Sequence, residues 1–477
     1  MRTFILLLCC AAALSAQATS LKVDFGDKRQ VWDGFGVNYV EVPQTRDYKS
    51  APQEYGGLSA LSEDKRQRMM DEIFGPDGLR PGVVKMFLDV WQQAGPGGPF
   101  DHETTTKWMR YFVREGLKRT KAQGGNLEII TTLYGPPAWA TKQKFVRGRD
   151  LDPAQAENLG RYMIGWIQYL RQKEQFPVRY ISLHNEGEDF ERWPVDGKSA
   201  GHPTHDYNLF WPPRQVNEFM TMLRPMLDKA GLKDVGVTPG EPTNWWRFLA
   251  WGYAPAIWAD EAALNSMGLI TSHGFTGGAG RWYGEHEGGG VELLRQKKRG
   301  LHAWTTSMTW GKMDAQFVND IRGQIYLVKV NAVIPWAAVQ TSKWVGGDPN
   351  PGTAFRVIEE CGCYQVMPGY YYYKQVSRAG QPGMAVAAAE GGSGPLQLIA
   401  FSSNGTRHPD AFLVINTGRD PEKTRIRLSG TSATAFGVFR TSLNEEYKSL
   451  GTQRFTSGVI EYEAPGSSVT TFFAQRP

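Results

Sequence analysis

The residues best placed to do chemistry sit in ISLHNEGEDF, where an apolar strand pattern runs into Asn185-Glu186 and the chain turns on Gly187. A glutamic acid at a strand end can protonate a leaving oxygen, the first requirement of glycosidic-bond hydrolysis. The asparagine beside it can hydrogen-bond a sugar hydroxyl. The same dipeptide is also an ordinary polar start to a loop, so alone it assigns no role. Hydrolysis of this kind needs a second carboxylate, as nucleophile or as base for a water. The stretch LHAWTTSMTW, Leu301 to Trp310, reads as a strand ending where such a group would stand, and it carries Ser307 there. An unactivated serine is a poor nucleophile toward an acetal carbon and supplies no negative charge. No Ser-His-acid arrangement marks it as activated.

Other carboxylates could take the second role. Asp89 follows a strand in FLDVW, and Glu241 follows one in TPGEPTNWW; these two have the best strand-end placement. Glu285 and Glu287 lie in GRWYGEHEGGG, Asp314 after LHAWTT, and Asp348 in GGDPN. Each is also the kind of residue that faces solvent or pairs with a cation. Glu188, two residues past Glu186, would raise its pKa by like-charge repulsion if the two were close. GEHEGGG and HPTHDY lack metal-ligand spacing, and GFTGGAG lacks the pattern of a phosphate-binding loop, so neither a metal nor another cofactor is expected.

The elements that must position these residues alternate. Short apolar strands are predicted at Gly34 to Val40, Val83 to Leu88, Leu127 to Tyr134, Arg179 to Asn185, Asp234 to Gly240, Leu269 to Phe275, Leu301 to Thr306 and Val333 to Gln340. Helical patterns lie between them, with Ser62 and Asp152 as cap candidates and Pro153 at a first helical position. The connection after His273 is glycine-rich and reads as a loop with a short helix. Eight strands with intervening helices predict an α/β fold, a (β/α)8 TIM barrel whose working face is the C-terminal ends of its strands. After Arg378 the texture becomes strands at hairpin spacing, predicting a β-sandwich side domain. The expected division is a leader over 1–18, an N-terminal strand joining the side sandwich over 19–32, the barrel over 33–378 and the sandwich over 379–477.

Taken in order along the chain, the motifs resemble those of glycoside hydrolase family 30, in the clan of barrel enzymes with catalytic glutamates after strands four and seven. DGFGVN (33–38) looks like the family's first-strand G-F-G. YGPPAWATK (134–142) resembles its third-strand S-P-P-x-W-M-K. HNEGE resembles N-E-P, with Gly187 replacing the proline, and SHGF resembles the sixth-strand H-x-Y. YYYYKQVSRAGQPG (370–383) resembles the segment that leads into the side domain. The resemblance implies Glu186 as general acid/base, Asn185 as its 2-hydroxyl partner, and His273, Trp139, Trp336 and Trp304 as substrate contacts. The two tryptophans Trp139 and Trp336 read equally well as core aromatics. The departure is at strand seven, where W-x-T-E becomes Trp304-Thr305-Thr306-Ser307. Four explanations stand side by side: an inverting enzyme with a distant base, a relocated nucleophile with Glu241 the foremost candidate, a sugar-binding relic, or an introduced nucleophile substitution. The function expected is hydrolysis of a β-linked polysaccharide or oligosaccharide, with a non-catalytic carbohydrate-binding protein as the alternative.

Composition agrees with this class without specifying it. Aromatic residues make up 12% of 477 residues, a supply that suits sugar rings and large cores alike. The net charge of +5 is scattered rather than blocked, which argues against a nucleic-acid footprint. The start, MRTFILLLCCAAALSAQA, reads as a secretory signal cleaved after Ala18, with an apolar run too short to span a bilayer. A secreted monomer without a membrane span is expected. Of the four cysteines, Cys361 and Cys363 remain after cleavage, and free thiols are expected there, with a disulfide as the alternative.

Overall fold

The computed structural model describes residues 19–42, 54–146, 148–188, 209–276, 286–308, 314–342, 352–391, 394–455 and 457–475. The leader, Glu285 and Asp348 lie outside these. After β1 (Thr19–Val31), the strands β2 (Gly34–Asn38), β3 (Val83–Leu88), β4 (Glu128–Leu133), β5 (Val178–Ser182), β6 (Gly236–Thr238), β7 (Ile270–Ser272), β8 (Ala303–Thr305) and β9 (Ala332–Val333) follow. The eight strands β2 to β9 form one parallel sheet in the order β6-β5-β4-β3-β2-β9-β8-β7. A parallel bridge between Val237 and Met267 joins its two ends, so the sheet closes into a barrel.

The barrel helices are α1 (Glu63–Phe74), α2 (Lys107–Ala122), α3 (Ala156–Gln172) and α4 (Pro213–Lys229). Three short helices follow β6: α5 (Trp245–Ala250), α6 (Tyr253–Ala259) and α7 (Glu261–Ser266). Then come α8 (Gly289–Lys297), α9 (Ala315–Gly323) and α10 (Pro368–Ala379). Asp152 caps as its type suggests, accepting from the Ala154 amide at 3.0 Å ahead of Pro153. Ser62 precedes α1 without a side-chain cap bond. None of the described helices is long and apolar enough to cross a membrane.

Inward residues alternate along each strand and stack in layers. The floor is Val83, Ile130, Leu269, Trp304, Ala332 and Ile334, with Tyr180 packed against it. Trp304 is therefore a core residue and not the substrate contact expected of it. Its indole is fully buried, packs edge-on to Tyr180 and donates to Asp33 at 2.7 Å. Above the floor the lining turns polar, with Asn38, Lys85, Thr132 and Thr306 all buried.

The last barrel strand prediction, Val333 to Gln340, divides in two. β9 ends at Val333, and β10 (Val339–Thr341) instead pairs with β11 (Phe355–Ile358), itself paired with β12 (Cys363–Val366). Cys361 and Cys363 are not free thiols but a disulfide. Gly362 between them takes a left-handed φ of 51°, which turns the chain into β12 and leaves the two Cα atoms 5.2 Å apart, within bonding reach.

The side domain comprises β1 with β13 (Ala385–Glu390), β14 (Leu396–Ser402), β15 (Ala411–Asn416), β16 (Glu422–Ser429), β17 (Ala435–Ser442), β18 (Glu445–Arg454), β19 (Val459–Ala464) and β20 (Ser468–Ala474). They form a single nine-stranded sheet in which β1 lies between β13 and β16. The sheet folds over its own core of Leu21, Val23, Leu398, Phe412, Ile426 and Phe472. Tyr462 of the β19 edge thereby meets β20, packing on Phe472 and sharing a 2.7 Å hydrogen bond with Thr470.

Candidate active site

Glu186 stands just past β5, and Glu241 just past β6. A parallel bridge between Asn185 and Glu241 extends this strand pair beyond its regular part. The Glu186 amide donates to the Glu241 carbonyl at 2.8 Å, and the Glu241 amide donates to the His184 carbonyl at 2.9 Å. Glu186 itself is held at φ 49°, a left-handed backbone that a non-glycine residue keeps only where its surroundings impose it. Gly187 follows because there is no room for more. A Cβ there would stand 2.7 Å from the Leu209 carbonyl and 2.8 Å from the Trp211 ring. Its amide also donates to His184 Nδ1 at 3.1 Å, which a proline could not do. Burial keeps that imidazole neutral, with its pKa pushed down to about 4.

His273, at the end of β7, joins the two carboxylates. Its Nδ1 lies 3.1 Å from Glu186 Oε1, and its Nε2 lies 3.2 Å from Glu241 Oε2. Two such bonds plus the ring's width space the carboxylate oxygens by roughly 7–8 Å. Glu241 has further partners: the Lys85 ammonium, and the Thr132 hydroxyl at 2.6 Å. Both the Lys85 and the Glu241 side chains are wholly buried. Burial alone would push the Glu241 carboxyl up, but the Lys85 charge and His273 outweigh it and hold the pKa at about 2. For His273 burial pulls downward, and its bonds to Glu186 and Glu241 more than offset that, so its pKa is raised. The result is a fixed anion at Glu241 and a proton that His273 and Glu186 can share.

Ser307 lies on the same face, with its carbonyl accepting from the Gly274 amide at 2.7 Å. Its hydroxyl is buried and has no hydrogen-bond partner among the described residues. The Lys85 ammonium is 3.4 Å from the neighbouring Thr306 carbonyl. The Glu186–His273–Glu241 array thus sits beside the strand-seven position, and no described base activates the serine.

The remaining carboxylates are engaged elsewhere. Asp89 is buried, accepting from the Trp91 amide at 2.7 Å and the Thr105 hydroxyl at 2.6 Å, and burial raises it to about 6. Glu188 is paired with a cation. It is wholly buried against Arg247 at 2.8 Å and accepts from the Thr243 amide at 2.9 Å. Glu287 accepts from the Gly289 amide at 2.6 Å, and Asp314 caps α9 through the Gln316 amide at 2.9 Å. Trp336 is half-buried in an aromatic group with Phe87 at 5.7 Å, Tyr55 at 6.0 Å and Tyr134 at 6.1 Å. Trp139 is not in that group; it packs edge-on to Tyr162 and donates to the Gln93 carbonyl at 3.1 Å.

Sequence reasoning missed Lys85, Thr132, Tyr55 and Arg247. Lys85 carried a signal: a lone cation at an inward position of the apolar strand VVKMFL, in step with Val83 and Phe87. The other three are ordinary residue types whose convergence exists only in the folded chain.

Comparison with solved structures decides the fold. A family 30 xylanase C catalytic domain from Talaromyces cellulolyticus superposes with a TM-score of 0.72 at 15% identity, covering 96% of this chain and 100% of that one. The chain has the fold of glycoside hydrolase family 30 enzymes. A family 30 endoxylanase from Clostridium papyrosolvens C71 matches with a TM-score of 0.68 at 17% identity, again over 96% and 100% of the two chains. An endo-β1,6-glucanase matches with a TM-score of 0.69 at 16% identity, over 96% of this chain and 94% of its own. No protein-family model and no curated protein matches the sequence.

Proposed function

We propose that the chain is an exported glycoside hydrolase acting on a β-linked polysaccharide or oligosaccharide, with Glu186 as the general acid. The observation that carries this reading is His273 bridging Glu186 and Glu241 at the C-terminal face of the barrel. A general acid must hold a proton at neutral pH and surrender it in the transition state. The raised pKa of His273 stores a proton beside Glu186, and that proton would pass to Glu186 before Glu186 gives it to the leaving oxygen. Glu241 contributes negative charge close to a developing oxocarbenium ion, and Asn185 and Trp336 contact the sugar. With an imidazole between them the two carboxylates stand further apart than the about 5–5.5 Å of retaining pairs, which favours an inverting over a retaining reaction. The Ser307 hydroxyl, with no protein partner among the described residues, would hold the attacking water, and Glu241 would take that water's proton as its oxygen adds to the anomeric carbon and Glu186 protonates the leaving oxygen. The structural neighbours named as xylanase and β1,6-glucanase favour this substrate class. Export is supported by the leader-like first 18 residues and by the Cys361–Cys363 disulfide, a bond of oxidising compartments.

A non-catalytic carbohydrate-binding protein is the second reading. It is favoured by the complete burial of Glu241 and by its three side-chain partners, which occupy most of its acceptor sites. Reducing-end release from β-linked xylans, glucans and galactans separates the two. The hydrolase reading expects turnover by wild type, a loss of about 10²-fold or more in Glu186→Gln, and retained glycan affinity in that variant. Binding without turnover in wild type establishes the second reading instead.

A further inference from the structure

The far end of the barrel holds a feature that the hydrolase reading does not use. Where β3 begins, a cleft of about 430 Å³ opens between the barrel and the side sheet. Arg80, Arg407 and His408 line it, together with the neutral side chains of Gln123, Asn126 and Thr406, and none of its described lining residues is acidic. These cations come from separate parts of the chain, Arg80 from the loop after α1 and Arg407 and His408 from the turn between β14 and β15. Arg378 of α10 adds a third guanidinium close by, anchored on the Pro76 carbonyl. The cations act on one another. Arg80 is lowered by burial and then by Arg378 and Arg407, and His408 is pushed down to about 4 by burial and then by all three arginines. The imidazole is therefore neutral at pH 7, and it can donate or accept. Arg80 also sits at φ 54°, fixed by its amide donating to the Ile73 carbonyl at 2.9 Å and its carbonyl accepting from Gln381 at 3.3 Å. The fold thus imposes a strained backbone to bring like charges together in a half-buried recess.

We propose that this cleft is a second binding site, for an oxyanion bridging Arg80 and Arg407: the carboxylate or sulfate of an acidic saccharide, or a free inorganic sulfate or phosphate. Guanidinium groups match planar and tetrahedral oxyanions through paired N–H donors, and an anion here removes the mutual repulsion. The site stands at the N-terminal ends of the strands, opposite Glu186, so it does not depend on the hydrolase reading.

Calorimetric titration of the full chain at pH 7 and low ionic strength tests this, with sodium sulfate and trigalacturonic acid as separate probes. The variants are Arg80→Gly, which preserves the left-handed backbone, and Arg407→Gln, at an exposed position. Saturable binding of either probe is expected, weakened by about tenfold or more in each variant. Trigalacturonate bound about tenfold more tightly than sulfate identifies the saccharide as the source, and comparable affinities identify the free ion. No saturable binding of either probe to wild type, or unchanged affinity in Arg407→Gln, overturns the proposal.

Discussion

At the scale of single residues, His273 and Lys85 together set the electrostatics of the site. Lys85 gives a wholly buried carboxylate its permanent counter-charge, and His273 links that carboxylate to Glu186. Glu241 at about 2 lies below its ordinary value of 4.5. Its stabilising contribution is therefore complete above about pH 4.5 and is lost as pH falls toward 2. Lys85→Met removes the cation and leaves the anion, so urea denaturation at pH 7 should show a loss of about 3–5 kcal/mol. The loss should shrink at pH 4, where the orphaned carboxyl takes up a proton. Equal losses at both pH values would contradict the pairing. Glu186 was legible from its strand-end position, and Lys85 could have been read from its inward register. The bridging role of His273 could not, because it depends on how the ends of three neighbouring strands, β5, β6 and β7, are brought together by barrel closure.

At the scale of elements, one strand interior, one strand end and one helix start show how side chains fasten the barrel. Trp304 fills the floor, and cutting it to alanine removes a buried indole and its bond to Asp33. Trp304→Ala should cost about 3–5 kcal/mol in denaturant unfolding. Glycan affinity at pH 7 should stay unchanged under conditions where the variant remains folded; a selective loss of affinity would return Trp304 to the pocket. Glu41, just past β2, receives the Trp108 and Met109 amides of the first turn of α2 at 2.7 and 2.9 Å. Burial pushes its pKa up to about 7 despite those bonds. A carboxyl raised in this way stabilises fully below about pH 4.5, and that stability is lost as pH rises through 7. Glu41→Gln keeps an acceptor oxygen and carries no charge. Its Tm relative to wild type should be higher at pH 8 than at pH 5, and a difference that does not change with pH would refute the buried-carboxyl account. The strand series was readable because short apolar runs between polar turns carry their own boundaries. The tryptophan's role was misjudged because a motif position outweighed the alternation Trp304-Thr306, which points both residues inward.

At the scale of the molecule, the side sheet is fastened to the barrel by hydrogen bonds from barrel helices. Tyr372 of α10 donates to the Ser467 carbonyl at 2.7 Å, and Tyr326 after α9 donates to the Ala387 carbonyl at 2.9 Å. Phe401 of β14 packs at 6.0 Å on Phe35 of the first barrel strand. The architecture was legible in the change of texture after Arg378. The curling of the side strands into one sheet was not, since pairing β1 with β13 and β16 joins residues hundreds of positions apart. The fold presents Glu186, His273 and Glu241 together at one face, with Ser307 on the same face. In the proposed reaction this array cleaves a glycosidic bond with water attacking from the Ser307 side. Time-resolved proton NMR of wild type with a xylo- or gluco-oligosaccharide reads the anomer released first. An inverted anomer, absent in Glu186→Gln, is the predicted result. A retained anomer, or no product alongside measurable binding, would contradict it.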